Sequence, residues 1–200
     1  MATSLLVATG NQGKKREIAS ILGDLDVELL TLRDFPGLPD AVEDGETFPE
    51  NARKKALHFL SLTGLPVIAD DSGLEVEALD GAPGVFSARY ADTDEERISR
   101  LLREIDDASA ADSSLGRRAR FVCAICLARP DGEMIETLGE VEGLILDHPR
   151  GDGGFGYDPV FFYPPLNQTF AEIPAEQKNR ISHRANALAE LKALIQGIVL

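Results

Sequence analysis

The sequence predicts an α/β fold from three features. A short apolar run at residues 5–8 passes into Thr9-Gly10-Asn11-Gln12-Gly13 and then into a stripe of Ile18, Ile21 and Leu22, which is strand, glycine-bearing turn and helix in succession. Ile98, Leu101, Leu102 and Ile105 recur at helical spacing behind a Thr93 and Glu96 capping pair, so an amphipathic helix begins there. Residues 119–128 and 134–141 are strand-like runs joined through Pro130-Asp131-Gly132, which is hairpin chemistry.

The remaining elements follow in chain order. Residues 27–32 predict a second strand, and residues 35–40, with two prolines and a glycine, a loop. Thr47, with Glu50 three residues on and Pro49 in the first turn, predicts a helix start. In that helix Ala52, Ala56, Phe59 and Leu60 share one face, and Asn51 and Lys55 another. Residues 65–69 predict a compact strand that ends at Asp70-Asp71-Ser72-Gly73, which would leave two carboxylates at its C-terminal end; residues 74–79 then predict a further strand. Gly81-Ala82-Pro83-Gly84 is a turn, residues 106–116 a small polar loop, and residues 147–158 a glycine-crowded loop of the kind that carries function. Residues 160–163 predict a strand, and a last helix carries Leu188, Leu191, Leu194 and Ile195 on one stripe, with Ser182 as its N-cap.

Two hundred residues suffice to bury a full core without disulfide or metal staples, as a single domain over residues 1–200 or a large domain with a small lobe. Lys and Arg number 20 against 34 Asp and Glu, a net charge of −14. Such a chain is repelled by a phosphate backbone, so no nucleic-acid partner is expected. Any phosphate ligand must meet local cations or a divalent metal. No apolar run is long enough for a membrane helix, and the N-terminus shows neither a basic region nor a cleavable apolar segment, so a cytoplasmic location without membrane association is expected. Cys123 and Cys126 have redox or zinc spacing but sit in a buried-strand pattern, where residues three apart face opposite sides. They are expected to be core thiols.

Four segments carry chemistry. Thr9 to Lys14 invites comparison with a P-loop, but the spacing is two residues short, and Lys15 stands where Ser or Thr would hold magnesium. What survives is a turn whose helix-start amides and Lys14 suit an anion, with a plain strand-to-helix turn as the alternative. Asp70 and Asp71 are adjacent carboxylates that need a metal or basic partner if buried; Glu43 could add a third oxygen ligand suited to magnesium. Alone, each is equally a solvated loop charge. Gly151 to Asp158 can fold closely around a flat guest, with Phe155 and Tyr157 as aromatic faces. Lys178 and Ser182-His183-Arg184 put three potential cations near the start of the last helix, a pattern that is elsewhere plain surface. Together the four suit a nucleoside triphosphate.

Those segments bring out a family likeness. Ala8-Thr-Gly-Asn11 with Lys14, Glu43 before Thr47-Phe-Pro-Glu-Asn51 with Lys55, Ala69-Asp-Asp-Ser-Gly-Leu74, Gly81-Ala-Pro-Gly84 with Ser87-Ala-Arg-Tyr90, Gly153-Gly-Phe-Gly-Tyr-Asp-Pro159 and Ser182-His-Arg184 stand in order along nearly the whole chain. In this the sequence closely resembles the inosine/xanthosine triphosphate pyrophosphatase family, enzymes that remove non-standard purine nucleotides. The resemblance implies a bent mixed β-sheet with flanking helices, two lobes enclosing a central nucleotide cleft, and a homodimer. It implies magnesium-dependent cleavage of ITP, dITP and XTP to monophosphate and pyrophosphate. It implies that Thr9, Gly10, Asn11, Gln12, Gly13 and Lys14 bind the triphosphate with Lys55, that Glu43 and Asp71 serve the metal, and that Asp71 is the catalytic base. Ser72, Phe155, Gly156, Tyr157, Asp158, Lys178, His183 and Arg184 match positions that contact substrate, largely at the base. Asp70 is left as either a second ligand or an orienting neighbour.

Overall fold

The computed structural model describes residues 3–23 and 27–195; residues 1 and 2, where the N-terminal run begins, lie outside them. Strand β1 (Thr3–Val7) pairs in parallel with β2 (Val27–Thr31) on one side and with β3 (Val67–Val76) on the other. Leu5, Leu6, Val7 and Ala8 are all buried, which accounts for the unbroken apolar run of a strand covered on both faces. β4 (Arg118–Ala128) and β5 (Met134–Ile145) follow as neighbours across the tight turn, where Arg129 N–H donates to the Glu133 carbonyl. β6 (Phe161–Tyr163) and β7 (Gln168–Thr169) complete the sheet by antiparallel pairing, giving the order β2-β1-β3-β4-β5-β6-β7. The sheet is therefore mixed, and helices α1 (Gln12–Leu22), α2 (Phe48–Thr63), α3 (Asp94–Ala111), α4 (Ala175–Ile181) and α5 (His183–Ile195) flank it.

The helix starts follow from side chains that occupy otherwise unpaired amides. Asn11 accepts from Gly13 N at 2.8 Å and Lys14 N at 3.1 Å, which opens α1 directly after the turn. Thr93 and Glu96 form the reciprocal capping box of α3. Thr47 caps α2 through Glu50 N, but the Glu50 carboxylate reaches back to Glu46 N at 2.9 Å rather than to Thr47.

Several boundaries differ from the sequence expectation. β3 does not stop at Asp70; it continues through Asp-Asp-Ser-Gly to Val76, where a short 3₁₀ turn replaces the rest of the expected second strand. Asp and Gly are poor strand formers, but pairing with a neighbouring strand overrides that preference. The ladder with β1 does end at Val7 and Ile68, so both carboxylates lie just beyond the parallel pairing although they are inside the strand. α3 runs to Ala111 because alanines, with no glycine or proline before Gly116, extend it through the expected loop. The expected last helix is α5, which starts directly after Ser182, whose ψ of 160° is extended; a further short helix, α4, precedes it. Leu194 is 50% exposed, while Leu188, Leu191 and Ile195 are buried.

The chain groups into two compact units, and each has its own core. The first takes the chain up to Asp71, then Cys123–Gly139, then the chain from His183 onward. Its core joins Leu5 and Val7 of β1, Ile68 of β3 and Ile125 of β4 to Ile18 and Leu22 of α1 and Leu188 and Leu191 of α5. Cys123 belongs to that core and Cys126 is also buried; desolvation pushes both thiols up to about 12, as core thiols should be. The second unit, Ser72–Val122 and Glu140–Ser182, packs Leu101 and Ile105 of α3 with Phe161 and Phe170, whose rings lie 4.9 Å apart.

Gly139 of β5 sets how closely α5 can approach. A Cβ there would collide with the His183 carbonyl and the Ala187 amide, and beside it Thr137 Oγ1 donates to the Ala187 carbonyl at 2.9 Å. Gly139→Ala is expected to cost about 1–3 kcal/mol by overpacking, read as a lower midpoint in urea unfolding. Gly116→Ala, whose added Cβ meets nothing within 4 Å, should stay within about 0.5 kcal/mol of the wild type; equal midpoints for the two variants would contradict the close approach.

Candidate active site

The first unit gathers most of the expected charged residues around Asp70. Lys14, in the first turn of α1, places Nζ 2.9 Å from Asp70 Oδ2. Arg184, in the first turn of α5, reaches the same oxygen from Nη2 at 3.3 Å and pairs with Glu17 of α1 through Nη1. Lys55 of α2 donates to the Asp70 backbone carbonyl at 2.9 Å and pairs with Glu43 at 2.9 Å. Asp70 and Arg184 are each 1% exposed. Burial alone would raise the Asp70 carboxyl, but Lys14, Arg184 and Lys55 outweigh it and hold that group well below the usual carboxylate range. Burial alone would likewise favour neutral Arg184, yet Asp70 and Glu17 keep it charged.

Asp71, one residue on, points to different chemistry. Alternation along a strand sends adjacent side chains to opposite faces. Burial raises its pKa against the pull of Lys14, Lys55 and a hydrogen bond from Asn51, and the Glu43 carboxylate raises it further. Asn51, 1% exposed, is itself fixed by accepting from Gly45 N at 2.8 Å. A carboxylate raised this way is suited to taking a proton. Among the described residues no three His, Cys, Asp or Glu side chains are grouped to hold a metal ion. Glu43 and Asp71 are thus a two-carboxylate set under mutual repulsion, which a cation relieves. Magnesium, which takes one or two protein carboxylates and fills its shell with phosphate oxygens and water, fits such a set.

Thr9 and Asn11 shape the turn between β1 and α1. Thr9 Oγ1 accepts from Asn11 N at 3.2 Å, and Asn11 then caps the helix. Gly10 and Gln12 are exposed and Gly13 buried in the same turn. His183 is buried beside Arg184, so the pair is not the surface feature that its sequence context also allowed.

The second unit holds the rest. Lys178 of α4 is buried and bonds Asp158 Oδ2 at 2.5 Å, and the same oxygen accepts from Phe155 N at 2.9 Å. The Lys178 ammonium lies 4.7 Å from the centre of the Phe155 ring, a cation–π geometry. Gly156 has φ of 63° and donates its N–H to Asp94 at 2.8 Å, so the loop is pinned at a left-handed residue. Tyr157 is a core residue whose hydroxyl donates to the Ser87 carbonyl at 3.1 Å, and of the two aromatics only Phe155 is half-exposed. Ser72 is half-buried in β3. Lys178 therefore does not stand with Arg184 on one helix start: α4 and α5 carry them in separate units.

Sequence reasoning missed Glu17 as a partner of Arg184 and Asn51 as a partner of Asp71. Glu17 gave no signal, because its partner is 167 residues away. Asn51 gave one: it shares a helical face with Lys55 at i+4.

A model of the Ham1 family matches residues 5–194. A Geobacter sulfurreducens protein named dITP/XTP pyrophosphatase is 52% identical over 193 residues, covering 95% of each chain. One of the same name from Desulfotalea psychrophila is 47% identical over 202 residues, covering 100% of this chain and 88% of its own. Among solved structures, a Ham1 protein from Coxiella burnetii superposes with a TM-score of 0.88 at 42% identity, covering 98% of this chain and 99% of its own. A nucleoside-triphosphatase, also named dITP/XTP pyrophosphatase, from Mycobacterium abscessus gives 0.74 at 39%, covering 94% and 98%.

Removing a partner of a buried charge should cost about 3–5 kcal/mol, so Arg184→Ala is expected to lower the urea midpoint as well as any activity. The pH dependence has a definite sign. The folded pKa of Asp70 lies below its unfolded value, so its contribution is complete above about pH 4 and is lost as pH falls further. The stability gap between wild type and Asp70→Asn should therefore be wide at pH 7 and shrink toward pH 3 in thermal melts; a gap independent of pH would refute the buried anion.

Proposed function

The chain belongs to the Ham1 family and is a nucleoside triphosphate pyrophosphatase, and from that premise we propose that it hydrolyses the non-standard purine nucleotides ITP, dITP and XTP to the monophosphate and pyrophosphate. The observation that carries this reading is the Lys14–Asp70–Arg184 network beside Asp71, Glu43 and Lys55, a fixed group of cations around one raised carboxylate.

Lys14 and Lys55 meet the phosphates from positions set by Asp70 and Glu43, so little reorganisation is needed when charge moves onto the leaving group. The Thr9 to Gly13 turn supplies hydroxyl and backbone donors to the same anion. Asp71 takes the proton from the attacking water, its basicity raised by burial and by Glu43. Glu43 and Asp71 would hold magnesium, which when bound neutralises phosphate charge. In the second unit Phe155 offers a face to a planar base, and Lys178, paired with Asp158, is a donor for a 6-oxo group where adenine carries an amino group. The homodimer implied by the family resemblance and the cytoplasmic location expected from the sequence belong to the same proposal. Among the described residues no helix is long and apolar enough to cross a membrane.

Pyrophosphate release from a panel of nucleotides, with magnesium or with EDTA, tests the proposal. ITP, dITP and XTP should turn over well ahead of ATP and GTP, and only with the metal; equal kcat/KM for GTP and ITP would leave a general nucleotide pyrophosphatase. Asp71→Asn should lower kcat by at least about a hundredfold. Lys14→Ala should lower kcat/KM for every triphosphate alike, because phosphate contacts carry no information about the base; a changed base preference would contradict the phosphate role.

A further inference from the structure

Lys14 and Lys55 already have carboxylate partners, whereas the two cations beyond them do not. Lys15 sends its ammonium to Thr31 Oγ1 at 3.3 Å, and Arg33, exposed after β2, makes no ion pair among the described residues. The Asp34 carboxylate, next after Arg33 in sequence, accepts from Thr31 N–H at 2.7 Å and its hydroxyl at 2.9 Å, and these bonds together with the Lys15 charge hold it below the usual carboxylate range. In a chain of net charge −14, two neighbouring cations that make no ion pair among the described residues are a local concentration of positive charge.

Both line a single cavity of about 330 Å³ in the first unit. Thr9, Gly10 and Gln12 line it as well, so it shares its wall with the turn read above as the phosphate-binding turn. Phe35, Leu38 and Phe59 give it an apolar side, which lowers the local dielectric and strengthens any charge pairing within it. One carboxylate, that of exposed Asp40, also borders it, and Asp34 nearby is already held by Thr31 and Lys15.

We propose that this cavity receives inorganic pyrophosphate, with Arg33 and Lys15 pairing with the anion and the Thr9 hydroxyl and the Gln12 amide donating hydrogen bonds to it. The proposal rests on the pyrophosphatase reading, and it assigns a place to the product. Pyrophosphate leaving the turn passes to the cavity across Thr9 and Gln12 without first losing contact with donors. Its transfer exchanges cations already shared with Asp70 and Glu43 for two that are not.

Isothermal titration calorimetry of the full chain with inorganic pyrophosphate, in EDTA so that no metal bridges the anion, tests this. Arg33→Ala should weaken pyrophosphate binding about tenfold, as expected for one charged hydrogen bond, and should raise its inhibition constant as a product by the same factor. Lys15→Ala should act in the same direction, Arg33→Glu more strongly, and inosine monophosphate binding should be unchanged in all three. Arg33 is exposed, so its variants should melt with the wild type. Equal pyrophosphate affinity in the wild type, Arg33→Glu and Lys15→Ala overturns the proposal, as does a loss confined to the monophosphate. Wild-type turnover of ITP is measured alongside: its absence sinks the pyrophosphatase reading, whereas turnover with unaltered pyrophosphate binding in Arg33→Glu sinks only the receiving cavity.

Discussion

A fully buried carboxylate held as an anion is the constraint around which the first unit is organised. Asp70 sits in the middle of β3 without contact to bulk water, and an isolated charge there would neutralise rather than ionise. It stays charged because three cations arrive from three helices: Lys14 from α1, Lys55 from α2 and Arg184 from α5. Each requires its helix to start or run in one place, which explains why Asn11 caps α1 and why Gly139 lets α5 press against β5. Asp70 is therefore an orienting neighbour for the cations.

The same constraint separates the two adjacent aspartates. Asp70 is matched by positive charge and is unavailable as a base, while Asp71 faces Asn51 and Glu43 and has its pKa raised. One dipeptide thus provides a carboxylate held as an anion and one whose pKa is raised, because neighbouring strand residues see opposite faces. The family pattern carries the pair as a unit; the physical reason is that the first fixes the cations and the second uses the space they surround.

What was legible in the sequence was local. The turn after β1, the Thr47 and Thr93 caps of α2 and α3 and the hairpin at Gly132 all depend on side chains within a few positions of each other, and all are found where the pattern put them. Where partners are remote, legibility ended. Nothing near Asp70 announces that β3 continues, since its strand character comes from pairing with another strand. Nothing near Glu17 announces Arg184. The start of α5 after Ser182 was legible, but the short helix α4, which carries Lys178 ahead of that break, was not. The ordered family motifs nonetheless located both charged clusters, because they record residues that must meet without recording how.

The charge balance of the whole molecule then takes on a definite form. A net charge of −14 does not describe the site, because the paired charges of the first unit balance: Lys14, Lys55 and Arg184 against Asp70, Glu43 and Glu17. That set leaves the raised carboxyl of Asp71 over, so a bound polyanion adds negative charge to a group that is already at best neutral. Such a ligand needs a further cation to be held, which is the physical reason the two-carboxylate arrangement of Glu43 and Asp71 suits magnesium. The acidic surface outside acts in the opposite sense, since it repels nucleic acid while leaving a metal-bound nucleotide, carrying less charge, free to approach.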